Sequence, residues 1–85
     1  MDIIVISEKE LLIVTDHAAQ RMIQRKITED DIAETYMNPD ATWDHISGNT
    51  KNYQKEIAEQ LIKIGVKLKK SGKHILVTAI KKDKQ

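Results

Sequence analysis

Apolar residues come in short β-rich runs at the start of the chain, in helical spacing through its middle and in alternation near its end. Ile3 to Ile6 and Leu11 to Val14 flank the charged segment Glu8-Lys9-Glu10, which predicts a hairpin or an edge strand followed by a lead-in. Residues 15–39 then read as two short helices with a break at Lys26-Ile27. Thr15 or Asp16 caps the first helix, which runs to about Arg25 and turns Ala18, Ala19, Met22 and Ile23 inward. Thr28 caps the second, Glu29, Asp30 and Asp31 fill its first turn, and Ile27 staples to Ile32. Its buried stripe is Ile32, Ala33, Tyr36 and Met37, and Asn38-Pro39 ends it.

Beyond Pro39 the pattern weakens before it sharpens. Residues 40–50 turn the chain, with Trp43 as a core plug and Ser47-Gly48-Asn49 as a turn. Residues 51–60 fit either a helix through Tyr53, Ile57 and Leu61 or a strand from Lys51 to Ile57 with a turn near Ala58-Glu59, and the segment that follows favours the strand. LIKIGVKLK alternates cleanly, Ser71-Gly72 suits a two-residue turn, and HILVTAI returns. Closing on that turn pairs Leu68 with Ile75, Val66 with Val77, Gly65 with Thr78 and Ile64 with Ala79. One face is then aliphatic and the other carries Lys63, Lys67, Lys69, His74 and Thr78, interrupted by Leu76 and Ile80. The expected fold class is α+β: two N-terminal helices packed on a small antiparallel sheet, in one domain over residues 1–85 with a frayed polar tail at 81–85.

Composition changes this picture in two ways. There is no Phe and no Cys, so the core rests on Ile, Leu and Val, and neither a disulfide framework nor thiolate chemistry is available. Net charge of +1 hides an asymmetry: residues 1–45 carry four Lys/Arg against ten Asp/Glu, a net of −6, and residues 46–85 carry ten Lys against three acids, a net of +7. A half that basic attracts polyanions, although solvated strand faces produce the same composition. The apolar N-terminus is divided by charge and lacks a basic lead, which argues against a signal or membrane span and for a cytoplasmic protein.

His17, Arg21 and Arg25 are spaced four apart and stack on one stripe of the first helix, roughly 130° from the centre of its apolar face. Metal-independent RNA cleavage needs a base for the 2′-hydroxyl, an acid for the leaving oxygen and cations for the extra charge on phosphorus. His17 suits the first roles and the arginines the last, with Lys63, Lys67 and His74 as further nucleic-acid contacts. The competing reading is structural: a backbone-bonded His17, and arginines paired to Asp30, Asp31 or Glu34. His17, His45 and His74 are too scattered for a metal site, and no Gly-rich phosphate loop or other cofactor motif is present.

The ordered set TDHAAQRMIQRKITEDDI from Thr15, NPD from Asn38 and LVTAIKKDK from Leu76 resembles the domain of unknown function 4258 family over about residues 12–84. That family is similar in layout to barnase/RelE-like ribonuclease toxins. The resemblance implies a catalytic set of His17, Arg21, Arg25 and Thr78, RNA as a partner and a cognate antitoxin-like protein. Two positions depart from the family pattern. Lys26 stands where glycine follows the second arginine, and Ile80 stands where an aromatic is common, which removes a base-stacking group. The functional expectation is a small RNA-interacting protein, with a metal-independent toxin-like ribonuclease as its most specific form. The alternative is a non-catalytic protein-interaction module or a phage or mobile-element accessory protein.

Overall fold

A computed structural model describes residues 2–46 and 49–83. The order of elements is β1 (Asp2–Val5), β2 (Leu11–Val14), α1 (Asp16–Arg25), α2 (Glu29–Met37), β3 (Ala41–Asp44), β4 (Thr50–Ile57), β5 (Gln60–Lys67) and β6 (Lys73–Asp83). All six strands form one sheet in the order β1-β2-β6-β5-β4-β3. Neighbours are antiparallel except β2 and β6, which run parallel. Both helices lie on one face, α1 over β6 and α2 over β4 and β5.

This corrects the expected fold class. The molecule is mostly β, built on a mixed six-stranded sheet with two short helices inserted between β2 and β3, and is not a pair of N-terminal helices on a small antiparallel sheet. The N-terminal hairpin is the reason: β1 and β2 extend the sheet past β6, so the helices are a crossover within a β framework. The frayed tail is also corrected, because Lys81, Lys82 and Asp83 continue β6 opposite Ile62, Leu61 and Gln60. The Ser47-Gly48 part of the expected turn lies outside the described residues, as do residues 84 and 85.

Local signals place the helices well. The Thr15 side chain accepts from the Ala18 N–H, and its hydroxyl donates to the Leu76 carbonyl, fixing the start of α1 to β6. Lys26 closes α1 in the left-handed region at φ 57°, and the Ile27 N–H reaches the Met22 carbonyl at 2.9 Å. This is a conformation in which glycine is favoured, which gives the family's usual glycine here a physical meaning. Thr28 and Asp31 form a reciprocal capping box. The Ala58-Glu59 turn, with both residues at positive φ, joins β4 to β5 as a tight hairpin.

The core is Ile4, Leu12, Val14, Ala18, Ile27, Ile32, Tyr53, Ile62, Ile64, Val66, Leu76 and Ala79. Every strand residue among them points to the helix-covered face. Thr35, also fully buried, is satisfied within α2 by donating to the Asp31 carbonyl.

The C-terminal hairpin holds the most consequential difference from expectation. Ile64 does pair with Ala79 and Gly65 with Thr78, but a β-bulge between Gly65 and Val66 then shifts the register, so Val66 faces Leu76 and Lys67 faces Ile75. The two-residue turn at Ser71-Gly72 is replaced by a longer connection over residues 68–72, with the Gly72 N–H on the Lys69 carbonyl. One inserted residue exchanges the faces of everything beyond it. Leu76 and His74 therefore turn inward and Ile75 turns outward.

Candidate nucleic-acid interface

The strand registers define a second face that no helix covers. Its positions are Ile3 and Val5 on β1, Leu11 and Ile13 on β2, and Lys73, Ile75, Val77, Thr78, Ile80 and Lys82 on β6. Leu61, Lys63, Gly65 and Lys67 follow on β5, then Thr50, Asn52, Gln54 and Glu56 on β4, and Ala41 and Trp43 on β3. The charged members are Lys63, Lys67, Lys73, Lys82 and Glu56. The acids of the helical layer, Asp16, Glu29, Asp30, Asp31 and Glu34, lie on the opposite side of the molecule. The open face is thus net positive, whereas the covered side mixes these acids with Arg21, Arg25, Lys26, Lys51, Lys55 and Lys81.

Across four strands one row reads Thr78, Gly65, Asn52, Trp43. Trp43 is 39% exposed and the Lys63 Nζ sits 5.3 Å from its ring centroid, a cation–π contact. Trp43 is therefore a surface group, which corrects the expectation of a core plug: β3 is an edge strand whose positions are all exposed. Gly65 is buried, and its neighbours close the place of a side chain: a Cβ there would lie 3.1 Å from Thr78 Cγ2, 3.4 Å from Val77 Cγ2 and 3.5 Å from Asn52 Oδ1.

The residues singled out by sequence are divided by the sheet. Thr78, Lys63 and Lys67 lie on the open face, each half-buried. His17, Arg21 and Arg25 lie on α1, beyond the covered face. His17 and Arg25 are exposed and have no hydrogen-bond or ion-pair partner among the described residues, while Arg21 Nη1 donates to Gln24 Oε1 at 3.3 Å. The expected pairing of these arginines with Asp30, Asp31 or Glu34 is absent among the described residues: Asp31 caps α2 and Glu34 pairs with Lys55 at 3.5 Å. His17, Arg21 and Arg25 therefore do not converge with Thr78.

His74 is in neither group. It is buried on the covered face, where its Nδ1 accepts from the Lys69 N–H at 2.9 Å and its Nε2 lies 3.2 Å from Glu10 Oε2. An acceptor at Nδ1 leaves the proton of the neutral ring on Nε2, directed at the carboxylate. The same Glu10 oxygen accepts from the Tyr36 hydroxyl, and the Tyr36 and Tyr53 rings meet at a tilt of 49° with centroids 5.0 Å apart. Burial, reinforced by the Glu10 hydrogen bond and charge, pushes the Tyr36 hydroxyl well above its ordinary pKa. Burial first, then the Glu10 charge, raises Tyr53 as well. Both ring nitrogens of His74 are engaged, so this cluster ties the loop before β6 to the β1–β2 turn and offers no free base. Sequence reading missed Glu10, Tyr36 and Tyr53 here because nothing in their spacing announces convergence from four elements.

Asn52 was also missed. The signal was present in TKNYQKEI, where Asn52, Gln54 and Glu56 alternate with Tyr53 and Lys55. Among the described residues no three His, Asp or Glu side chains gather as metal ligands, and no helix is long and apolar enough to cross a membrane.

The chain belongs to the family described as Domain of unknown function (DUF4258), whose model matches residues 14–81. That span runs from the last residue of β2 through Lys81 in β6. No curated protein and no solved structure matches the chain, and the barnase/RelE-like layout is not confirmed.

Proposed function

We propose that the bare face of the sheet binds single-stranded RNA through its phosphates and bases, without cleaving it. The observation that carries this reading is Trp43, exposed beside Lys63 on a face whose charges are chiefly lysines. A positively charged track with an aromatic on which a base can stack is the combination that unpaired strands require. Trp43 also supplies from β3 the aromatic that Ile80 does not supply from β6. Cleavage is left out of the reading because His17 and its arginines stand on the other side of the sheet from Thr78.

A second reading has its own observation. Ile3 and Val5, 52% and 71% exposed on edge strand β1, offer an apolar margin suited to a protein partner. Salt dependence separates the two. Counterion release lowers single-strand affinity with a slope of about −0.7 per phosphate contact, so Lys63→Ala with Lys67→Ala should flatten the slope by about 1.4 while leaving the melting temperature nearly unchanged. Absence of RNA binding at low salt overturns the reading and favours the protein partner.

A further inference from the structure

Asn52 is an anomaly on the open face. Only 9% of the residue is exposed, yet its side-chain amide has no hydrogen-bond partner among the described residues. No fully enclosed side-chain N or O among the described residues lacks a partner, so both amide atoms of Asn52 retain access to solvent. The amide is thus sunk into the sheet and still presented at its surface. On one side of it lies Gly65, itself buried, with the methyl groups of Thr78 and Val77 closing over the place where a Cβ would project. On the other side, directly opposite in register, stands Trp43. Directly opposed strand residues bring their Cβ atoms within about 4.5–5.5 Å, so ring and amide border one shallow seat.

From this arrangement, and resting on the RNA-binding reading above, we infer that Asn52 and Trp43 form a seat for a single unpaired nucleobase. An amide offers an acceptor beside a donor, which matches the paired donor and acceptor on a base edge, as asparagine does with adenine. The indole supplies the stacking surface. The rows on either side contain Ile80, Lys63, Gln54 and Ala41, and Ile75, Lys67 and Thr50. Their only charges are the two lysines, which suits a planar group carried on an anionic backbone. Lys63, already against the Trp43 ring, is placed to meet the phosphate attached to the stacked base.

Trp43 is the single tryptophan of the chain, so its emission reports on the seat. The test titrates the protein at low salt with an oligoadenylate and with an abasic strand of equal length and charge. The expected result is quenching of Trp43 by the oligoadenylate and affinity about tenfold higher than for the abasic strand. Asn52→Ala should reduce the oligoadenylate to the abasic level of the wild type. Trp43→Leu, at an exposed edge position the core does not need, should do the same when binding is followed by a label on the strand. Equal wild-type affinity for the two strands overturns the seat while leaving phosphate binding intact. Failure of both strands to bind overturns the seat together with the reading on which it rests.

Discussion

The two faces of this sheet are built from the same strands and do opposite things. On the covered face Leu12, Ile64, Val66 and Leu76 are fully buried beneath helices, and the polar cluster of Glu10 with His74 and Tyr36 is internally bonded. On the open face Ile75, Val77 and Ile80 are half-covered by their neighbours, and Asn52 keeps an unpaired amide. A face that exists for stability satisfies its polar groups internally. A face that leaves a sunken amide, an exposed indole and lysines together has left capacity for something outside the chain.

The largest test of this contrast uses one residue type on both faces. Ile64→Ala should cost about 2–5 kcal/mol, since it opens a cavity where nothing is exposed. Ile80→Ala, opposite Lys63 on the bare face, should cost about 1 kcal/mol, because its side chain is only partly buried and water fills the space it leaves. Urea unfolding of both variants measures the difference. Equal costs would mean that the open face is covered in solution by another copy, and the midpoint would then depend on protein concentration.

The covered face was largely legible in the sequence and the open one was not. Helix caps at Thr15 and Thr28, the Ala58-Glu59 turn and the alternation of Ile62, Ile64 and Val66 all follow from local rules. HILVTAI is different, because Ile75, Val77 and Ala79 and the interleaved Leu76, Thr78 and Ile80 give two almost equally apolar phases. A strand flanked on both sides, one neighbour parallel, tends to read as a continuous apolar run, so its pattern does not fix a face. The bulge beside Gly65 chose the phase, moving His74 from an imagined lysine surface into a bonded site. Trp43 and Asn52 were hidden for a related reason. A four-residue edge strand leaves too short a pattern to read, and its partner's polar alternation acquires meaning only once the register is known.

Intermediate effects come from Tyr36, which links the two helices' layer to the β1–β2 turn. Its folded pKa is raised above the ordinary value of 10.0, by burial first and by Glu10 second. The unfolded chain therefore gives up this proton at lower pH than the folded one. The stabilisation is complete below about pH 10 and is lost as the pH climbs towards the folded value. Melting temperatures should fall more steeply above pH 10 in the wild type than in Tyr36→Phe, which keeps the ring but has no proton to lose. At neutral pH the same variant should be weaker by about 0.5–1.5 kcal/mol, the usual net worth of one hydrogen bond. Parallel alkaline profiles would show that the Glu10 contact does not hold in solution. Loss of that contact would remove the link between the covered face and the loop leading into β6.

The smallest expected effect is at His17, and it is also where the comparison is most exposed. His17 lies at the start of α1, solvent-facing and without a partner among the described residues. Substitution at such a position usually changes stability by no more than about 0.5 kcal/mol, so His17→Ala should melt with the wild type. If function resides on the open face, the substitution should also leave the RNA affinity unchanged, because the whole thickness of the sheet separates α1 from Trp43. Wild-type protein at high concentration should leave RNA intact in EDTA. The contrary outcome is specific: cleavage leaving 2′,3′-cyclic phosphate ends and falling roughly 10²–10⁴-fold in His17→Ala, as removal of an acid–base residue does. That result would move the chemistry to the helical layer, with Arg21 and Arg25 as its phosphate contacts, and reduce the open face to a surface that holds the strand while α1 cuts it. End-group analysis and a melting curve on the same two proteins distinguish these cases, since a merely structural His17 would shift the melt and leave no cut ends.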